Sequence, residues 1–389
     1  MAALVICSCF ASAAEPPLRL RLATDDDIIV HELAASLGYF ADAGIEIVPV
    51  KVDSFAKEDY LLQAPLNAGQ IDACIHWFQH AVFGARHNLP VTAVMLFNDA
   101  PGMTVLVANR VKSEIRTAAD FNGRRIARGA GYGTKTVLTD FLIARAGAPV
   151  ANYTPVMIGA AGRQDAVLKG LSEGAVDVMN FQEPITSALL ETKLATPLFD
   201  FTTRESTAKV LGAPFVAQSL LMSPRFIAAH PAAVQRLVDA FVRTMRFINA
   251  HTADEILARL PPRHFEGKDR AAEFRLMRDT LRTYAQRDYT IPPAGAQLVA
   301  DMIRGARFDD SEEGAWRRGA ENPAFDVTTL YENKFVLAAM ARHPERPRLP
   351  ETAFVDALPR YAPAEKVWQQ ISSTCSTIWN WMRWRSRLQ

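Results

Sequence analysis

The chain has 389 residues, of which 49% are apolar and 22% charged; that length and balance suit two globular lobes with sizeable cores and exclude a chain disordered throughout. A formal net charge of +1 gives too weak a field to gather nucleic acid or an anionic membrane, so no nucleic-acid partner is expected. The four cysteines, Cys7, Cys9, Cys74 and Cys375, are spaced for neither a disulfide framework nor a metal centre.

Ala2 to Ala11 is an apolar run closed by the small residues Ala11-Ser12-Ala13, the pattern of a signal peptide over residues 1–14, although no Lys or Arg precedes it. Export to the periplasm is the expectation. No later segment has the roughly 18 uncharged apolar residues needed to span a bilayer. Leu18 to Ala23 reads as a strand, and Thr24 to Asp27 as a helix cap with an acidic first turn. Ile29, Leu33, Leu37 and Phe40 give the following helix an apolar face that stops at Gly44. A strand over Ile45 to Val50, a helix over Lys57 to Ala68 and a strand over Ile71 to Ile75 complete a βαβαβ pattern with parallel strands.

Strands near Val91 to Phe97 and Met103 to Ala108 come next. The pattern then restarts at Thr117 with a short capped helix, a strand over Arg125 to Arg128, and a glycine-rich turn, Gly129 to Thr134, leading into a helix over Thr136 to Ala146. A strand over Thr154 to Ile158, a helix over Gln164 to Ser172 and a strand over Val176 to Asn180 follow. One internal echo stands out: Leu66-x-x-Gly69-x-Ile71-Asp72-Ala73 matches Leu171-x-x-Gly174-x-Val176-Asp177-Val178 at a constant offset, which predicts duplicated lobes. An apolar segment, Phe215 to Ser223, returns the chain to the first lobe. Helices over Pro231 to Ala250, Lys268 to Gln286, Pro292 to Gly305 and Val327 to Arg342 follow. Residues 343–389 read as a Pro-rich linker with a Trp/Arg-rich tail.

Four segments together resemble the nitrate, sulfonate and taurine branch of ABC-transporter solute-binding proteins and its relatives that bind thiamine pyrimidine precursors. They are Gly38-Tyr39-Phe40 with Gly44-Ile45-Glu46-Ile47; Leu66 through Asp72; Ala118-Ala119-Asp120-Phe121-Asn122-Gly123-Arg124-Arg125-Ile126; and Leu171 through Asp177 leading into Glu183-Pro184. The resemblance implies an α/β fold of the type II periplasmic-binding-protein kind. In it, two lobes, each a mixed, mainly parallel sheet flanked by helices, are joined by two crossovers. With crossovers placed near Ala108 and Ala213, the first lobe takes 18–107 plus 214–342 and the second 108–213. The resemblance further implies a monomer that performs no chemistry, needs no cofactor, and passes a small-molecule ligand to ABC permease transmembrane subunits. One related group makes a pyrimidine precursor from its own bound substrate with clustered cysteines and iron. That cysteine cluster has no counterpart in this sequence. A periplasmic sensor, the other alternative, would need a docking domain.

In open parallel sheets ligands bind outside the carboxyl ends of the strands. That rule selects Thr24 and Asp25, then Trp77 and Phe78, and in the second lobe Tyr132, Gly133, Thr134, Asn180, Phe181, Gln182 and Glu183. Trp77 and Tyr132 are the aromatic walls of choice for a planar ligand, while Gly133 and Thr134 open a helix whose free N–H groups suit an anion. Arg163, in a Gly-Ala loop, is a candidate bidentate anion partner. His76 and His80 are four apart but have no evident third ligand, so no metal is expected.

Overall fold

The computed structural model describes residues 16–24, 29–51, 62–128, 133–157, 164–285, 288–306 and 324–345. The expected signal peptide and the Trp/Arg-rich tail lie outside them. Ten strands form two sheets: β1 (Leu18–Thr24), β2 (Ile45–Lys51), β3 (Ala73–Trp77), β4 (Thr92–Leu96), β5 (Met103–Ala108), β6 (Arg125–Arg128), β7 (Thr154–Met157), β8 (Val178–Gln182), β9 (Ala195–Phe201) and β10 (Gln218–Met222). The first sheet runs β2-β1-β3-β10-β4 and the second β7-β6-β8-β5-β9. The two orders are the same pattern twice. In each, three parallel strands are followed by an inserted strand that runs antiparallel to both neighbours. The inserted strand of each sheet, β10 or β5, is the one that arrives from the other sheet.

The sequence echo has a physical counterpart. Gly69 and Gly174 both take φ of +69°, the left-handed turn that ends a helix and for which glycine has no Cβ penalty. Three residues later Asp72 accepts from the backbone N–H, Nε and Nη2 of Arg21 at 2.7, 3.1 and 2.6 Å. Asp177 accepts the same three donors from Arg125 at 2.8, 3.1 and 3.1 Å. One fork joins β1 to the residue before β3, and the other joins β6 to the residue before β8. Burial pushes the Asp177 carboxyl up, but the side-chain and backbone bonds from Arg125, with a further bond from Arg110, outweigh it and hold it below the usual range.

The helices of the first half are α1 (Val30–Ser36), α2 (Tyr39–Asp42), α3 (Gln63–Ala68) and α4 (Gln79–Arg86). The second lobe adds α5 (Thr134–Arg145), α6 (Gln164–Ser172), α7 (Ile185–Glu191) and α8 (Arg204–Leu211). The C-terminal part is helical: α9 (Pro224–Ala229), α10 (Pro231–Ala250), α11 (Ala253–Leu257), α12 (Arg270–Leu281), α13 (Pro293–Gly305) and α14 (Lys334–Arg342). Helix α10 buries Val234, Leu237, Val238, Phe241, Met245 and Ile248, each worth about 1.5–3 kcal/mol of transfer free energy when fully covered. Its Phe241 ring stands edge-on to Phe40 at 5.4 Å and to Phe97 at 5.2 Å, tying the C-terminal helices to α2 and to the end of the first sheet.

Several sequence expectations shift. Strand β5 pairs with β8 and β9, so Met103 to Val107 belong to the second sheet, and the first crossover is Phe97–Gly102 rather than a point near Ala108. A buried apolar strand carries no mark of which sheet it will join. The second crossover lies between α8 and β10. Strands β3 and β8 each begin and end two residues later than the hydrophobic run suggests. Gly38, at φ +74°, splits the expected helix over Ile29 to Phe40 into α1 and α2. Of the helix expected over Lys57 to Ala68, residues 57–61 lie outside the described set.

Candidate functional site

Between the sheets, at the carboxyl ends of β3 and β8, lies a cavity of about 490 Å³. The first lobe contributes Ile29, Trp77 and Gln218, and the second Gln182, Glu183, Ser187 and Thr202. The first crossover supplies Asn98, Ala100, Pro101 and Gly102 at the base, and α12 with its flanks supplies Lys268, Leu276, Met277, Thr280, Arg282 and Tyr284 as a cover.

The base is rigid because three segments meet there. Phe97 N–H and Asn98 N–H donate to the Gln218 carbonyl at 2.8 and 3.3 Å, and Ala217 N–H donates to the Asn98 carbonyl at 3.1 Å, so the two crossovers are hydrogen-bonded. The segment after α12 joins them. Ala285 N–H donates to the Phe97 carbonyl at 2.7 Å, Asp99 N–H to the Thr283 carbonyl at 3.0 Å, and the Asn98 amide to Thr283 Oγ1 at 2.6 Å. Gly102 has φ of +68°, and a Cβ there would stand 2.9 Å from the Thr283 methyl.

Two titratable groups at the base have moved. Burial pushes the Asp99 carboxyl up to about 6, against the opposing pull of Arg204, whose Nη1 is 3.2 Å away. Burial also pushes the Tyr284 hydroxyl upward, so it stays a neutral phenol. The Asn98 Oδ1 is buried without a hydrogen-bond partner among the described residues, which costs about 1–3 kcal/mol unless a donor is brought to it.

Of the residues selected from the sequence, Trp77, Gln182 and Glu183 line this cavity. Thr134 does something else: its hydroxyl donates to Gln79 Oε1 at 2.8 Å, joining the first turn of α5 in one lobe to the first turn of α4 in the other. Gly133 is the residue before α5 and leaves its start uncapped by a side chain. Phe78, fully buried, precedes α4, and Phe181, 1% exposed, is core with Lys135 Nζ 4.9 Å above its ring. Asn180 lies inside β8, not beyond it, and donates up to the Lys135 carbonyl and Thr139 under α5. Thr24 ends β1 beside Ile75 and Lys51 and does not line the cavity. Asp25, Tyr132 and Arg163 lie outside the described residues. The His76 and His80 rings stack at 4.0 Å, and no group of His, Cys, Asp or Glu among the described residues is arranged to hold a metal.

Sequence reasoning missed Asn98, Gln218 and the whole cover. A signal for the first was present in the polar, Pro-Gly-bearing stretch Asn98-Asp99-Ala100-Pro101-Gly102 between two apolar strands, the composition of a crossover. Nothing local marks α12 as a cover, since its helical spacing is that of any surface helix.

Two duplicated α/β lobes joined by two crossovers, with a cavity at their facing strand ends, define the class as the periplasmic-binding-protein fold. The chain belongs to the NMT1/THI5-like family, whose model matches residues 27–254. No curated protein matches the chain. Among solved structures, a Bordetella bronchiseptica RB50 protein is similar over 85% of this chain and 99% of its own, at 21% identity and a TM-score of 0.64. The alkanesulfonate-binding protein SsuA from Xanthomonas axonopodis pv. citri, bound to MOPS, is similar over 82% of this chain and 100% of its own, at 19% identity and a TM-score of 0.56. The desulfurization enzyme DSZB shares the fold over 84% of this chain and 99% of its own, at 15% identity and a TM-score of 0.53. No helix among the described residues is long and apolar enough to cross a membrane.

Proposed function

We propose that the chain is the substrate-binding component of an ABC importer, exported to the periplasm, which captures one small organic solute between its lobes as a monomer and hands it to the transmembrane permease subunits without chemical change. The observation that carries this reading is the inter-lobe cavity of about 490 Å³. Its size falls in the range of organic ligand sites and is generous for a bare inorganic oxyanion. Trp77 offers a flat apolar face, while Gln182 and Gln218 offer amides and Glu183 a carboxylate. That set favours a planar, polar ring with both donors and acceptors, such as a pyrimidine or an aromatic acid, over a simple alkyl sulfonate.

The test is a thermal-shift screen of pyrimidines, aromatic acids and sulfonates, repeated with Trp77→Ala. A specific ligand at a hundredfold excess over its Kd should stabilise the fold by about 2.7 kcal/mol, and Trp77→Ala, still folded by circular dichroism, should lose that gain. Folded protein that no compound stabilises would overturn the reading. Conversion of a stabilising compound, seen by mass spectrometry in the same incubations, would move the chain to the enzymes that share its fold.

A further inference from the structure

We infer that His264 is a positioning residue for the cleft: held between two carboxylates, it pins the helical cover α12 in place only while both of its ring nitrogens carry a proton. This rests on the cleft being the ligand site, and it adds a control on that site.

His264 lines the cavity and is 8% exposed. Its Nδ1 is 2.8 Å from Glu32 Oε2 on α1, and its Nε2 is 3.2 Å from Glu273 Oε2 in the first turn of α12. Carboxylate oxygens only accept, and a neutral imidazole has one N–H to give. Both bonds therefore need the imidazolium. The other charged groups are Arg263, with Nε 3.5 Å from Glu32 Oε1, and Lys268, with Nζ 3.5 Å from Glu273 Oε2. The remaining neighbour is the Phe265 ring, edge-on at 5.1 Å, itself covered by the Arg270 guanidinium at 4.7 Å.

Helix α12 is thus fastened at both ends. Its C-terminal end is bonded to the first crossover through Thr283 and Ala285 by backbone groups that do not titrate. Its N-terminal end is fastened to α1 through His264, and this fastening responds to pH. When the proton leaves, the imidazole keeps one bond and turns a lone pair on the other carboxylate. Leu276, Met277 and Thr280, which α12 brings to the cavity, are then less firmly held. The sign follows from the proton count: two bonds hold the cover while both ring nitrogens are protonated, and one holds it after a proton has left.

Hydrogen exchange of the full chain without ligand, followed by mass spectrometry from pH 5 to 9 and corrected for intrinsic exchange rates, tests this directly. Peptides covering α12 should lose protection by about tenfold between pH 5.5 and 8.5, the scale of one charge-assisted bond, while α10 stays constant. In Glu273→Gln the amide can donate to the bare ring nitrogen as Nδ1–H keeps Glu32, so protection of α12 should persist at pH 8.5 with no pH step. In His264→Gln it should be low and flat. A flat wild-type profile, or a Glu273→Gln profile that steps like wild type, overturns the proposal. Because no ligand is present, either result is independent of the thermal-shift screen that tests the importer reading.

Discussion

Asp99→Asn probes the cost of placing a charge in the first crossover. The carboxyl is 2% exposed, and it pairs with Arg204 at the start of α8, in the second lobe. Burial raises it from 3.8 to about 6, Arg204 opposes that rise, and the neighbouring Glu205 adds to it. An acid whose folded pKa exceeds its unfolded value binds more protons folded than unfolded. Its contribution to stability is therefore full below the unfolded value and is lost as pH climbs to about 6. At 1.36 kcal/mol per unit, the interval is worth about 3 kcal/mol. Asparagine keeps the shape and stays neutral, so Asp99→Asn should exceed wild type in stability at pH 7.5 by up to about 3 kcal/mol, with the two converging near pH 4. Urea unfolding of both proteins at several pH values measures it. Taking the difference cancels groups such as Asp177 and Glu255, whose depressed carboxyls act in the opposite direction. A variant less stable than wild type at pH 7.5 would show that the Arg204 pair outweighs burial, and would refute the reasoning.

Gly102→Ala should destabilise the fold by about 2 kcal/mol or more, from the left-handed backbone and from the overpacking against Thr283. Adding Thr283→Ser, which deletes the clashing methyl, should recover only the packing part in a thermal melt. Asp72→Asn and Asp177→Asn should each cost about 2–3 kcal/mol by breaking a charged fork. Asp177→Asn should be the worse of the two, since Arg110 also donates to that carboxylate; urea midpoints rank them.

The duplicated architecture was legible in the sequence because a helix end, a glycine stop and a buried strand obey local rules, and the echo at Leu66 and Leu171 captured all three. What the strands pair with was less legible. Met103 to Ala108 is apolar on both faces, so its partner sheet is decided by contacts far along the chain, and the crossover was placed several residues late. The strand-end rule found Trp77, Gln182 and Glu183, but it also selected Phe78, Asn180 and Phe181, of which Asn180 and Phe181 lie within β8 and Phe78 is buried at the start of α4. The Arg21 and Arg125 forks were equally hidden, since nothing short of pairing reveals them. The cover was invisible for a different reason. His264, Glu32 and Glu273 meet across 232 and 9 residues of sequence, and no periodicity encodes such a meeting.

A two-lobed cleft works as a receptor only if its ligand discriminates between open and closed forms, since a solute with equal affinity for both shifts nothing. The lining divides as that requires. Trp77 and Gln218 come with one sheet, Gln182, Glu183 and Thr202 with the other, so a solute touching both sets gains contacts only on closure. The Thr134–Gln79 bond joins the two lobes directly, and the Asp99–Arg204 pair joins the first crossover to the second lobe. On the proposed reading, the Thr134–Gln79 bridge lowers the free energy a ligand must supply to close the lobes and equally lowers the contrast between empty and loaded receptor.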